Sequence, residues 1–227
     1  PEAVQIAGRV YQRTVTHRVL LTPSRPGEAR LDGPAFRLDV GDFFESRAVK
    51  IAAPPVTLTV RQVPDQGRPP GFDPNSVGTL RARATLSVGG TSGQAHKVKV
   101  NERLLLHYEV AGDGNLLNLK ALAPPALDGM TVEALPTRAT DGVKQTERGT
   151  SGQRNWQYVL SFSRPGRFEL PQTVFGSCDP KTTTFLTDKL GPFTVDVAAA
   201  DAAPGAAAAP AAAVGAPPDG QPPTQPN

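Results

Sequence analysis

With 227 residues, 38% of them hydrophobic, the chain can bury a sizeable core, and two small domains suit its length better than one large one. Its 24 prolines and 22 glycines make up about a fifth of the chain, against a usual share of roughly 12%, which calls for many turns and strand-rich order. A formal charge of +3, spread over cations mixed with acids, speaks against a groove for a nucleic-acid backbone, and a lone cysteine excludes an internal disulfide and a thiolate zinc cage.

No run reaches the roughly 18 apolar residues that cross a bilayer as a helix, and residue 1 does not open a charged-then-apolar export signal. In chain order, the first landmark is LLTPSRPGEARLD at 20–32. Its Ser-Arg-Pro-Gly returns in YVLSFSRPGRFELP at 158–171. At one constant offset Leu21 falls on Leu160, Ser24 on Ser163, Gly27 on Gly166, Leu31 on Leu170 and Phe36 on Phe175. The phrase reads as a strand end, a Pro-Gly reversal that uses the positive φ open to glycine, and a second strand setting off antiparallel. Residues 1–62 are then the later strands of a first sandwich whose early strands are missing from the front of the chain, exposing edges and half a core. VPDQGRPPGFDPNS, 63–76, reads as a proline-stiffened linker.

From residue 78 the periodicity is alternation. Leu80, Ala82, Ala84, Leu86 and Val88 take every second place, with Arg81, Arg83, Thr85 and Ser87 between them. Leu104, Leu106, Tyr108 and Val110 repeat the pattern opposite Leu105, His107 and Glu109. Trp156, Tyr158, Leu160 and Phe162 repeat it opposite Asn155, Gln157 and Ser161, and Phe193, Val195 and Val197 close the series. Leu127–Leu135 and Arg167–Phe175 are further strands, broken by Gly129, Pro136 and Pro171. No helix of ordinary length is expected. The predicted fold is all-β: tandem immunoglobulin-like antiparallel sandwiches, the first (1–62) incomplete at its N-terminus and the second spanning 77–197. The stretch 198–227, rich in alanine and proline, reads as a disordered stalk.

Chemistry-bearing residues are sparse. His17, His96 and His107 lack a second ligand at metal-site spacing, so ordinary side-chain roles are expected. GTSGQ occurs at 90–94 and 149–153 in turn-rich connectors, with no base implied beside Ser92 or Ser151. Cys178, just before Asp179-Pro180, is expected as a small apolar filler, and Trp156 as core. Gly112-Asp113-Gly114-Asn115 reads as a sharp, kinked turn after the second alternating strand. Asp113 and Asn115 are its candidate binding residues, with too few ligands for a calcium site. No catalytic residue, metal site or cofactor is expected.

Taken in order, VNERLLLHYEVAGDGNLLNL, PPALDGMTVE, SGQRNWQYVLSFSRPGRFELP and VFGSCDPKTTTFLT resemble the BatD family of bacterial aerotolerance proteins. The resemblance is carried by Gly112, Gly114, Asn115, Gly152, Trp156, Tyr158, Pro165, Gly166, Phe168, Leu170, Pro171, Asp179 and Pro180. GFDPNSVG is similar to that family's inter-domain junction, and the likeness spans about residues 4–197. Cys178 stands where the family commonly has an aromatic, and Asp32-Gly33 where it has Ile-Pro.

The resemblance implies a non-catalytic, extracytoplasmic protein of serial immunoglobulin-like domains at the periplasmic face of the bacterial inner membrane. It implies an export signal before residue 1, a membrane helix beyond residue 227, and partners among von Willebrand A-type domain proteins and a MoxR-type ATPase. Envelope stress and oxygen tolerance are the setting it implies. In a sharper form, Asp113 would complete the coordination of a divalent ion held by such a partner. The alternative is a carbohydrate-binding or adhesive module, which requires a row of exposed aromatic residues.

Overall fold

The computed structural model describes residues 2–15, 18–41, 46–138, 142–146 and 149–200. Of the stalk expected over 198–227, Ala198 closes the last strand and residues 201–227 lie outside the described residues, as does His17. The described chain is all-β, its strands paired antiparallel except for the parallel pair Ala95–Lys99 and Phe193–Ala198, with a single 3-10 turn at Leu116–Asn118.

Six strands make up the first unit: β1 (Glu2–Ile6), β2 (Arg9–Arg13), β3 (Gly27–Leu31), β4 (Ala35–Gly41), β5 (Ser46–Ala52) and β6 (Val56–Val60). They pair as three separate antiparallel ladders, β1 with β2, β3 with β6 and β4 with β5. Many of their apolar side chains stay open to solvent: Val10 is 73% exposed, Val40 57%, Val56 53% and Leu58 41%, while Leu31, Phe36 and Val60 are half-buried.

The second unit continues with β7 (Gly78–Val88), β8 (Thr91–Gly93), β9 (Ala95–Lys99), β10 (Leu104–Gly114), β11 (Met130–Leu135), β12 (Val143–Thr146), β13 (Gly149–Phe162), β14 (Gly166–Leu170), β15 (Thr173–Asp179), β16 (Thr184–Leu190) and β17 (Phe193–Ala198). One sheet runs β11-β13-β10-β7-β8, with β12 pairing the start of β13; a second runs β14-β17-β9, and β15 and β16 form a hairpin. The expected strand over 127–135 begins only at Met130. Met130 N–H donates to the Leu127 carbonyl (3.2 Å) in a turn that uses Gly129. The expected strand over 167–175 is two strands, because Pro171 supplies no N–H to a ladder.

Register places the alternating faces together. Leu106 lies opposite Tyr158 on one side and Leu86 on the other, and Leu104 lies opposite Leu160. Leu80, Leu86, Leu104, Leu106, Val110, Leu160, Phe162, Leu170 and Val195 are fully buried in one cluster that draws on both sheets. Each such side chain contributes roughly 1.5–3 kcal/mol on burial. Phe162 and Phe168, one from each sheet, lie 4.4 Å apart at their ring centroids.

The two Ser-Arg-Pro-Gly phrases occupy equivalent corners. Gly27 opens β3 opposite Val60, and Gly166 opens β14 opposite Val197. Both glycines hold φ in the region that disfavours side chains, +122° and +146°. Leu31 lies opposite Val56 as Leu170 lies opposite Phe193, and the hairpin β4-β5 repeats β15-β16. The repeat read in the sequence is thus a repeat of strand pairing.

Residues 63–76, expected as a linker, pack on the second unit. The Phe72 ring meets Phe185 edge-on at 5.2 Å. The Asp73 carboxylate accepts from the amides of Asn75 (3.0 Å) and Lys120 (2.9 Å), and the Ser76 carbonyl accepts from Cys178 N–H (2.9 Å).

Candidate functional site

Gly112-Asp113-Gly114 is not the turn that its composition suggests; it is the last stretch of β10, paired on both sides. Gly112 lies between Gly152 and Leu80, Asp113 between Ser151 and Thr79, and Gly114 between Thr150 and Gly78. The reason is steric. With φ near +140° at Gly112, the neighbouring strand comes so close that a Cβ there would strike the Thr79 carbonyl oxygen. The glycines serve close strand approach rather than a reversal.

Asp113 remains exposed at this end of the sheet. Asn115 is a lock: its amide donates to the Val77 carbonyl (2.9 Å) and its Nδ2 to the Asn75 carbonyl (3.2 Å). Its Oδ1 accepts from Asn118 Nδ2 (2.6 Å). Thr150 Oγ1 donates to the Gly114 carbonyl and stands 3.3 Å from the Leu116 amide, from which it accepts. Of the two candidate binding residues, Asp113 is exposed and Asn115 is half-buried in these hydrogen bonds.

Beside this corner lies a cleft of about 620 Å³. Leu20, Leu21, Arg25 and Val60 of the first unit line one wall; Asn115, Leu117, Thr150, Pro180 and Thr183 of the second line the other. Asn118 Nδ2 reaches Thr22 Oγ1 at 3.5 Å across it. Arg25, Arg61 and Arg68 line it, and among the described residues no carboxylate does.

The remaining residues singled out in the sequence build the scaffold. Trp156 (5% exposed) and Tyr158 (7%) lie inward on β13. Tyr158 Oη donates to the Leu122 carbonyl (2.9 Å), and Tyr108 Oη shares a hydrogen bond with Thr173 Oγ1 (3.1 Å). Pro165 precedes the Gly166 corner, and Pro171 separates β14 from β15. Asp179 and Pro180 begin the β15-β16 turn, where Asp179 Oδ1 accepts from Lys181 N–H (2.8 Å). Cys178 is buried, and desolvation first, then the Asp179 charge, pushes its thiol above the ordinary range. His96 meets the Gly93 carbonyl and His107 meets Asn155 Oδ1. Among the described residues no three of His, Cys, Asp and Glu gather as metal ligands.

Three buried charged groups, Glu109, Asp188 and Arg154, escaped the sequence reading. Glu109, on the nominally wet face, is 9% exposed, and its carboxylate pairs with the exposed Arg83 (2.9 Å), directly opposite in register. Asp188 pairs with Arg81 (2.6 Å) and accepts from the Ala82 amide (2.7 Å), so a side chain takes the place of a strand on the open edge of β7. Arg154, 7% exposed, donates to the carbonyls of Leu116 (3.3 Å) and Leu117 (3.0 Å) and lies 5.1 Å from the Trp156 ring. Burial pulls its guanidinium below the ordinary value. The signal for Arg154 was present: it continues the inward series Trp156, Tyr158, Leu160 by one step. Arg154→Met is expected to cost about 1–3 kcal/mol in urea unfolding, because it strands two carbonyls at the 3-10 turn.

Burial raises the Tyr108 phenol above its ordinary value, against the pull of the Thr173 hydrogen bond and with a smaller push from Tyr158; burial raises Tyr158 too. A raised folded pKa favours the neutral native form, so this contribution is complete below about pH 10 and is lost as pH climbs past the unfolded phenol's pKa. Tyr108→Phe is expected to flatten the fall in urea midpoint above about pH 10, at a cost of about 1 kcal/mol near neutrality.

The fold and this corner define an all-β, sandwich-type module whose described surface gathers no set of reactive groups. No family model, curated protein or solved structure matches the chain.

Proposed function

We propose that this chain is a non-catalytic, extracytoplasmic protein-interaction module of a BatD-like, membrane-anchored protein. It acts at the periplasmic face of the inner membrane with von Willebrand A-type domain partners and a MoxR-type ATPase, in aerotolerance and envelope stress. The observation that carries this reading is the serial repeat. Two successive units turn at equivalent Pro-Gly corners, as the resemblance through Gly112, Trp156, Tyr158, Gly166 and Pro180 implies. Open strand edges support it as well. β11 ends its sheet with one side unpaired among the described strands and Val132 at 36% exposure, an arrangement that suits docking by strand addition.

In its sharper form, exposed Asp113 supplies a carboxylate to a divalent ion in the partner's metal site, as hard oxygen ligands do. The test is binding of the chain to a purified von Willebrand A-type domain protein, with magnesium and with chelator. Asp113→Asn is expected to weaken magnesium-dependent binding about tenfold, close to 1.4 kcal/mol. Absence of binding at micromolar concentrations would defeat the partner assignment. Equal affinity of both forms, with and without chelator, would defeat the role of Asp113 alone.

The carbohydrate-binding alternative is disfavoured by the placement of the aromatic rings. Trp156, Tyr108 and Tyr158 are all buried, leaving Tyr11 as the exposed tyrosine.

A further inference from the structure

The cleft of about 620 Å³ has the size of a small-molecule site, for which about 300–1,000 Å³ is usual, and its lining is of two kinds. Leu20, Leu21, Val60, Val63, Val77 and Leu117 give it aliphatic walls. Arg25, Arg61 and Arg68 add guanidinium groups, with no Asp or Glu among the described lining residues to balance them. Arg68 is already engaged: it pairs with Asp65 (2.8 Å) and donates to the Val63 carbonyl (3.0 Å). Arg25 and Arg61 form no ion pair with any described residue. The hydrogen-bonding groups of the opposite wall are spent internally. Asn115 bonds to Asn75 and Asn118, and Thr150 to Gly114 and Leu116. A guest therefore meets aliphatic surface and two uncommitted guanidinium groups.

We infer that this cleft binds a small amphipathic carboxylate: an aliphatic body held by Leu20, Leu21 and Leu117, with its head held by Arg25 and Arg61. A guanidinium offers paired N–H donors that match the two oxygens of a carboxylate, and such charge-assisted bonds are the strong ones. Burying the aliphatic body removes apolar surface of both guest and wall from water.

Other occupants suit the lining less well. A sugar or a nucleotide base calls for an aromatic face to stack on, and among the described residues no aromatic side chain lines the cleft. A peptide brings backbone groups that need partners, and Asn115 and Thr150 have given theirs to their own wall. An inorganic anion would leave the aliphatic walls in water. The inference does not depend on the partner proposed above, since Asp113 is not among the lining residues.

Titration calorimetry on the full chain tests it, with dodecanoate, dodecylammonium and acetate as probes. Dodecanoate is expected to bind with a dissociation constant of about 100 μM or below. Dodecylammonium, with the same body and the opposite charge, should bind at least about tenfold more weakly, and acetate not measurably. Arg25→Gln combined with Arg61→Gln should weaken dodecanoate about tenfold or more and leave the melting temperature in place, because both side chains are exposed. Equal binding of dodecanoate and dodecylammonium, or unchanged binding by the double variant, would overturn the inference by reducing it to unspecific apolar adsorption. Failure of dodecanoate to bind would also overturn it, and binding of the chain to phosphatidylglycerol vesicles in that case would assign the two arginines to a lipid surface instead.

Discussion

Phe162→Ala is expected to destabilise the second unit by about 3–5 kcal/mol. Phe162 is fully buried at the end of β13, lies against Phe168 of the other sheet at 4.4 Å, and sits opposite Met130. Its removal therefore opens a void where the two layers are joined, and neighbours on paired strands cannot collapse into it without breaking ladders. Trp156, the single tryptophan, lies on the same strand, so its fluorescence in a urea titration reports this unit alone. A loss below about 1 kcal/mol would mean that the interface between the layers is loose. The repeat supplies a control. Leu58→Ala, at the counterpart of buried Val195, is expected to cost less than about 0.5 kcal/mol in this chain, because Leu58 has little cover to lose.

Gly112→Ala is the second large effect, expected at about 3 kcal/mol or more. Alanine at φ +140° is strained, and its Cβ would push on the Thr79 carbonyl, a backbone atom fixed by the β7-β10 ladder. Gly166→Ala separates the two contributions. It has nearly the same φ, +146°, but its added Cβ would find only Phe168 at 3.8 Å, so strain alone remains, about 1–2 kcal/mol. Similar losses at the two positions, measured by thermal unfolding, would show that close strand approach contributes little at Gly112.

The same glycine shows where reading by composition goes astray. Gly-Asp-Gly-Asn has the makings of a turn, and the turn arrives only at Asn115 and the 3-10 segment after it. What extends β10 through Gly114 is the presence of β7 and β13 on either side, fixed by residues dozens of positions away. Glu109 and Asp188 teach the reverse lesson. Glu109 stands on an outward-reading position and Asp188 in a stretch without a clear alternating pattern, and both are buried where an arginine on β7 reaches them, Arg83 and Arg81 respectively.

Alternation over Leu80–Val88, Leu104–Val110, Trp156–Phe162 and Phe193–Val197 was enough to declare the strands and their dry faces, since side chains on extended backbone point to opposite sides at every step. The duplicated Ser-Arg-Pro-Gly was likewise legible, because the corner it makes depends on local backbone freedom. Which strand neighbours which, the parallel pairing of β9 with β17, the docking of 69–76 on the β15-β16 hairpin and the buried Arg154 were settled only in three dimensions. Each depends on contacts between residues far apart in the chain, and no local pattern encodes the partner that an edge or a charge will meet.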